Sequence, residues 1–269
     1  MGMATDFGIK IEGVSHAYGG GQGQLGTNTL ALKQTDLLIR HHEFHALLGP
    51  SGCGKSTLLY LIGGFIPVQT GSISTQKGPV TAPGPDRSIV FQNFALFPWK
   101  TVLENVMYGL QKKGLPEVEC RDIAQAHIKL VQLGGFEQAY PSQLSGGMQQ
   151  RAAIARTLAV DPDILLMDEP FGALDAQTRR VMQEELRMIW KKRPKTVVFV
   201  THDVHEAVFL ADRISIMSAR PGRIEHQIDT GLGPERDEST LTDRRFVELG
   251  EQIWRLVREQ AVLASRGGL

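Results

Sequence analysis

The stretch Gly49-Pro50-Ser51-Gly52-Cys53-Gly54-Lys55-Ser56 joins a strand candidate at 44–48 to a helical pattern at about 55–62, and its reading decides the fold. Strand, glycine-rich loop, Lys-Ser and helix in that order satisfy the phosphate-loop pattern. Gly52 and Gly54 free the backbone to turn consecutive N–H groups toward one anion, and the helix start behind them adds its positive dipole end. Lys55 then supplies a point charge for β- and γ-phosphates, and Ser56 a hydroxyl for a divalent cation. The candidate nucleotide contacts are therefore Gly49 to Ser56 with the adjoining Thr57. Cys53 lies near a helix N-terminus, where a thiol can gain thiolate character; it is read as a small loop side chain.

Working outward, Ile164-Leu165-Leu166-Met167 is a buried strand that ends in Asp168-Glu169. Ligands of parallel sheets bind at such carboxyl ends. Asp168 is the candidate to hold Mg²⁺ through water, and Glu169 the candidate general base for an attacking water. Strand patterns also fall at 9–14, within 29–39, near Ile73, and at 89–91, 196–200 and 213–218. Residues 101–159 read instead as helix. There Thr101 and Glu104 form a capping box, Ile123, Ala126, Leu130 and Leu133 share one face, and Gly134-Gly135 ends that helix. Helices follow from Asp175 and from Asp203, with Glu206 in the first turn of the second. The alternation implies an α/β fold with a mostly parallel sheet. A strand-like piece beyond Gly222, a polar loop and a helix bearing Phe246, Leu249, Ile253 and Leu256 complete the chain. The glycine-rich segment 19–26 reads as a flexible loop.

The chain has 269 residues, 42% hydrophobic and 22% charged, which suits a globular core and excludes disordered and fibrous classes. Its 29 basic and 29 acidic residues cancel, so no long-range field draws it to nucleic acid. Two cysteines, Cys53 and Cys120, build no disulfide scaffold, and residues 1–10 lack a secretory pattern; a reducing cytosol is expected. No stretch has the roughly 20 mostly apolar residues of a membrane span. His41, His42 and His45 are read as having no carboxylate or cysteine placed to complete a metal set.

Leu144-Ser145-Gly146-Gly147-Met148-Gln149-Gln150-Arg151 separates this chain from other phosphate-loop proteins. Ser145, Gly146 and Gly147 offer a hydroxyl and unencumbered N–H groups at a helix start, a second anion cradle. One γ-phosphate does not need two cradles from one chain. The motif resembles the signature of the ABC ATPases, and the resemblance covers about residues 9–223. It implies a P-loop NTPase of ABC ATPase type, a RecA-like core with an N-terminal antiparallel β subdomain and an inserted helical subdomain. The nucleotide-binding domain would be residues 1–225, with the helical subdomain at about 93–160, and 226–269 a short extension ending in an amphipathic helix. In the family the second cradle closes over ATP held by a partner subunit, so a homodimer is implied.

Further roles follow from the same resemblance. Gln92 matches the residue that touches Mg²⁺ and the attacking water, Asp175 the loop that crosses the dimer, His202 the γ-phosphate histidine, and Tyr18 the aromatic that stacks on adenine. Met148 departs from the glutamine common at its position. The stretch Phe97-Pro98-Trp99-Lys100-Thr101-Val102-Leu103-Glu104-Asn105-Val106 and Pro221-Gly222-Arg223 look like the nitrate, sulfonate and taurine importer ATPases. That subgroup implies ATP and Mg²⁺ as cofactors, a separate transmembrane permease, a solute-binding protein and a place on the cytoplasmic face of a bacterial inner membrane. In those systems Phe97 and Trp99 would rim the groove for a permease helix. The competing expectation is a non-transport ABC ATPase acting on ribosomes or DNA, a class that usually carries two nucleotide domains or a long coiled-coil insertion.

Overall fold

The computed structural model describes residues 7–19 and 29–266. Two sheets organise it. The first is antiparallel, ordered β2-β1-β4-β5, from β1 (Phe7–Tyr18), β2 (Thr29–Arg40), β4 (Thr70–Thr75) and β5 (Gly78–Pro79). The second runs β10-β9-β3-β8-β7-β6 and contains β3 (Phe44–Leu48), β6 (Arg87–Val90), β7 (Ile164–Asp168), β8 (Thr196–Val200), β9 (Arg213–Met217) and β10 (Ile224–Asp229). Its first five chain-ordered strands pair in parallel, and only β10, at the edge, is antiparallel.

The central strands are apolar throughout because both faces of the sheet are covered. Side chains alternate sides at a period of two. Phe44, Ala46, Leu48, Leu165, Met167, Val197 and Phe199 enter one core with the helices. Leu47, Ile164, Leu166, Val198 and Val200 enter the other, with α1 (Lys55–Gly63) and the antiparallel sheet. The expected alternation of strand and helix therefore becomes a two-sided core, with the carboxyl ends of β3 and β7 opening on one edge.

The helical insertion comprises α2 (Val102–Lys112), α3 (Glu117–Leu130) and the start of α4 (Gly146–Ala159). The capping box at α2 is present: Thr101 N donates to Glu104 Oε2 at 2.8 Å, and Glu104 N to Thr101 Oγ1 at 3.2 Å. Of two expectations for α3, the first holds in part: Ile123, Ala126 and Leu130 do share one face, lining one hollow, with Leu133 buried just past the helix, but that face is not the most buried one. The deepest face carries Cys120, Ala124 and Ile128, while Ala126 is exposed and Ile123 and Leu130 are half-buried. Helix α3 is clamped between α2 and α4, so tertiary contact sets which face is buried deepest. The second expectation fails, for the helix stops before the glycine pair, since Gln132 takes the left-handed conformation at φ 57° and its N–H returns to Lys129 O.

Later elements follow the sequence reading. Helix α5 (Ala176–Lys192) starts at Asp175 and α6 (Val204–Leu210) at Asp203, whose carboxylate accepts from His205 N and Glu206 N at 2.8 and 3.2 Å. Strand β10 spans the expected boundary at 225. Helix α7 (Arg244–Arg266) buries Phe246, Leu249 and Ile253 in the same core as α6, with Leu256 packed half-buried beside them. Among the described residues no helix is long and apolar enough to cross a membrane.

Arg236 locks this tail to the core. Its guanidinium is fully buried and donates to the carbonyls of Val208, Phe209 and Ala211 at 3.1, 2.9 and 2.8 Å, satisfying the end of α6. Burial, aided by repulsion from Arg187, pushes its pKa down to about 10, which leaves it charged at neutral pH. Arg236→Met strips these carbonyls of their donor. Its unfolding free energy should fall by about 3 kcal/mol, read as a lower urea midpoint at unchanged slope.

Candidate functional site

Strand β3 delivers the chain into the loop 49–54, which folds back into α1. Gly54, at the start of α1, has φ 97°, and a Cβ there would lie 2.7 Å from Leu32 Cδ2 and 3.0 Å from Ala31 O. Only glycine fits. No side chain caps α1, so its first N–H groups remain available to an anion. Lys55, 7% exposed, folds back along the loop and donates to Gly49 O at 2.8 Å and Pro50 O at 3.0 Å. The loop's own carbonyls thus hold its ammonium over the cleft floor. Burial pushes the Cys53 thiol pKa up, against the pull of Lys55, so this cysteine lacks thiolate character.

Asp168 ends β7 opposite this loop. Ser56 Oγ donates to its Oδ1 at 2.9 Å, and Tyr60 OH to its Oδ2 at 3.0 Å. Burial raises the Asp168 pKa, outweighing both hydrogen bonds. Burial and the adjacent carboxylate push Tyr60 up to about 12, so it stays a donor. Glu169 adopts φ 47°, a conformation that costs on the order of 1–3 kcal/mol for a residue with a side chain. Its N–H donates to Val200 O at 3.0 Å, and Oε1 stands 3.3 Å from Nδ1 of the exposed His202.

A cleft of about 390 Å³ collects Tyr18, Ser51, Lys55, Ser56, Gln92 and Glu169 among its lining, with Gly52, Gly54 and Thr57. Tyr18, at the end of β1, is 45% exposed, and its hydroxyl lies 3.1 Å from Thr57 Oγ1. The glycine-rich segment expected after it falls, apart from Gly19, outside the described residues. Gly49, Pro50 and Cys53 form the loop backbone behind the cleft.

Among the sequence-expected residues, Asp168 and His202 are not part of this cleft's lining, His202 facing a separate hollow beside Asp203 and His205, and four others lie elsewhere. Ser145 is the N-cap of α4, accepting from Met148 N at 3.3 Å, and Gly146 and Gly147 form the first turn. Asp175 caps α5, accepting from Thr178 N at 3.0 Å, which holds its carboxyl below the usual range. None of the four lines the cleft.

Three residues escaped the sequence reading. Tyr60 lies four positions after Ser56 on α1, a spacing that puts both hydroxyls on one helix face and was legible. Arg220 lines the cleft because β9 neighbours β3, an adjacency that only the sheet order reveals. Gln150, 1% exposed, donates to Glu169 O at 3.1 Å and accepts from Ala173 N at 2.9 Å. One reading needs correction: Glu43 stands among the histidines, accepting from His45 Nδ1 at 2.6 Å while Nε2 meets Ser215 Oγ at 2.8 Å. Both ring nitrogens of His45 are thereby engaged in the core.

A phosphate loop facing an acidic strand end, in a parallel sheet with a helical insertion, defines a P-loop nucleoside triphosphatase. The chain belongs to the ABC transporter family, whose model matches residues 32–172, and it is an ATP-binding subunit and an ATPase. An uncharacterised ABC transporter ATP-binding protein of Methanocaldococcus jannaschii is 49% identical over 88% of both chains. The nitrate import ATP-binding protein of Synechocystis is 44% identical over 88% of this chain and 87% of its own. The taurine import ATP-binding protein of Escherichia coli is 43% identical over 86% and 92%. Among solved structures, an ATP-binding cassette captured as a dimer after hydrolysis, with ADP and phosphate, is 35% identical. It superposes with a TM-score of 0.75 over 82% of this chain and 98% of that one.

The raised Asp168 pKa carries a stability signature. The folded state binds this proton more tightly than the unfolded chain, so wild-type stability falls as pH rises from the unfolded carboxylate value, about 4, through the folded one. Asp168→Asn removes that penalty. Without nucleotide or divalent cation, the variant should melt higher than wild type above the folded pKa, by roughly 2–4 °C if about 1 kcal/mol is recovered. The difference should vanish at low pH in calorimetric scans.

Proposed function

We propose that the chain powers uptake of a small anionic or zwitterionic solute of the taurine, sulfonate or nitrate kind through a separate permease, working as a homodimer that sandwiches two ATP molecules. The observation that carries the dimer is the separation of the two cradles: Ser51, Gly52 and Gly54 to Ser56 line the cleft, and residues 145–147 do not. A head-to-tail pair would bring Ser145, Gly146 and Gly147 of one copy over the nucleotide of the other, with Asp175 crossing beside them. The related cassette solved as a dimer agrees with this arrangement.

Within each cleft, Lys55 exchanges its two carbonyl bonds for β- and γ-phosphate oxygens, and the loop N–H groups enclose the anion. Tyr18 presents its exposed ring to adenine. The Ser56 hydroxyl and Asp168 carboxylate, already within hydrogen-bond distance of each other, are hard oxygen donors that fit Mg²⁺, and Gln92 lines the same cleft as Ser56. Held by Ser56, Asp168 and Gln92, such a cation would supply positive charge that neutralises the phosphates. Glu169 takes the proton of the attacking water, and His202, 3.3 Å from it, contacts the γ-phosphate. Once the γ-phosphate leaves, the charge joining the two copies is lost and they part.

Trp99, 71% exposed, stands beside Phe97 with ring centroids 5.7 Å apart. We assign this aromatic edge to the permease, which fixes the chain to the cytoplasmic face of the membrane and links it through the permease to a solute-binding protein.

Glu169→Gln should lower turnover by about 10²–10⁴-fold and accumulate an ATP-bound dimer on gel filtration. Ser145→Arg should bind nucleotide as a monomer within about twofold of wild type yet lose steady-state turnover; retained turnover would exclude the shared site. Affinity purification from detergent-solubilised membranes should recover a hydrophobic permease. Recovery of ribosomal proteins or DNA in its place would overturn the transport reading.

A further inference from the structure

Gln150 sits in the second turn of α4, five residues after Ser145, and is 1% exposed. Both halves of its amide are engaged. Nε2 donates to Glu169 O at 3.1 Å, and Oε1 accepts from Ala173 N at 2.9 Å. The partners fix the orientation of the amide, since a flip would set oxygen against a carbonyl and NH₂ against an N–H.

This amide sits where three functional segments meet. Glu169 holds a left-handed backbone, pinned on one side by its N–H to Val200 O at 3.0 Å. On the other side its carbonyl accepts from Gly172 N at 3.2 Å and from Gln150, which uses both lone pairs. Ala173 precedes Asp175 by two residues. The first turn of α4 also touches this loop directly, for a Cβ on Gly147 would lie 3.3 Å from Ala173 O and 3.3 Å from Leu174 Cδ2. Helix α4 and the segment 169–173 therefore cannot shift independently without breaking a buried hydrogen bond or a packed contact.

We propose that Gln150 is a positioning residue through which the cradle that one subunit lends to its partner sets the general base of its own site. The proposal rests on the head-to-tail reading above. Ser145 to Gly147 would grip the partner's nucleotide, while Glu169 acts on the nucleotide of its own cleft. Closure of the cradle moves α4, and Gln150 carries that displacement to the backbone of Glu169 and to the loop leading to Asp175. Each copy thus readies its base when the opposite nucleotide is seated, which makes hydrolysis cooperative between the sites.

The test uses the full chain and ATP turnover, beside calorimetric and circular-dichroism checks of folding. Gln150→Leu keeps the bulk and loses both hydrogen bonds. Its kcat should fall about tenfold with KM for ATP within about twofold, the signature of an interaction felt in the transition state. Its Hill coefficient should drop toward one.

Gln150→Glu supplies the readout that a packing role would not move. A neutral carboxyl donates to Glu169 O and accepts from Ala173 N as the amide does, and burial favours that neutral form. Its kcat relative to wild type should rise as pH is lowered, whereas the Gln150→Leu ratio stays flat. Wild-type kcat and cooperativity in Gln150→Leu would overturn the proposal. So would a pH-independent ratio in Gln150→Glu, the variant that decides if the leucine protein does not fold. Ser145→Arg in the same assay separates the two readings: if it retains turnover the shared site fails, and if it is inactive while Gln150→Leu is normal, only the role of Gln150 fails.

Discussion

The hydrogen bond from Ser56 to Asp168 is the contact on which the site depends. It joins the start of α1 to the end of β7, across the intervening strand β8, and so brings the phosphate loop and the acidic strand end to one cleft. The carboxylate is buried and its charge is disfavoured there. A structure selected for stability alone would place a neutral group at this point; a structure that must gather phosphate oxygens and a divalent cation keeps the carboxylate and bears its cost.

That contact in turn requires the two-sided order of the parallel sheet. Strands β3, β7 and β8 present apolar side chains to both cores, which holds their carboxyl ends level within one edge. The loop can then be glycine-rich and nearly free of side-chain caps, because the sheet behind it supplies the rigidity. Glu169 shows the same economy. Its left-handed backbone is sustained by Val200 on one side and by Gly172 and Gln150 on the other, so three elements share the strain at one catalytic candidate.

The local parts of this arrangement were legible in the chain. The loop 49–56, the strand ending at Asp168, the caps at Thr101, Ser145, Asp175 and Asp203, and the strand 196–200 all rest on short motifs, on hydrogen bonds within a few residues or on continuous apolar runs. The depth of burial around α3 was not legible, because packing between α2 and α4 buries Cys120, Ala124 and Ile128 most deeply, beside the stripe of Ile123, Ala126 and Leu130. Its stop was misread for a related reason: a glutamine took the left-handed position ahead of two glycines. Tyr60 could have been found from its spacing to Ser56.

Sequence by itself determined the family, the phosphate loop, the acidic strand end and the existence of a second cradle, since each is written in short-range residue order. Only the tertiary structure decided that this second cradle stands outside the cleft, that Arg220 stands inside it, and that the amide of Gln150 bridges α4 to Glu169. Those facts depend on strand order and on contacts between residues 19 or more positions apart. Side chains brought together by folding leave no periodic trace in the chain, because the distance that matters to a hydrogen bond is measured through space.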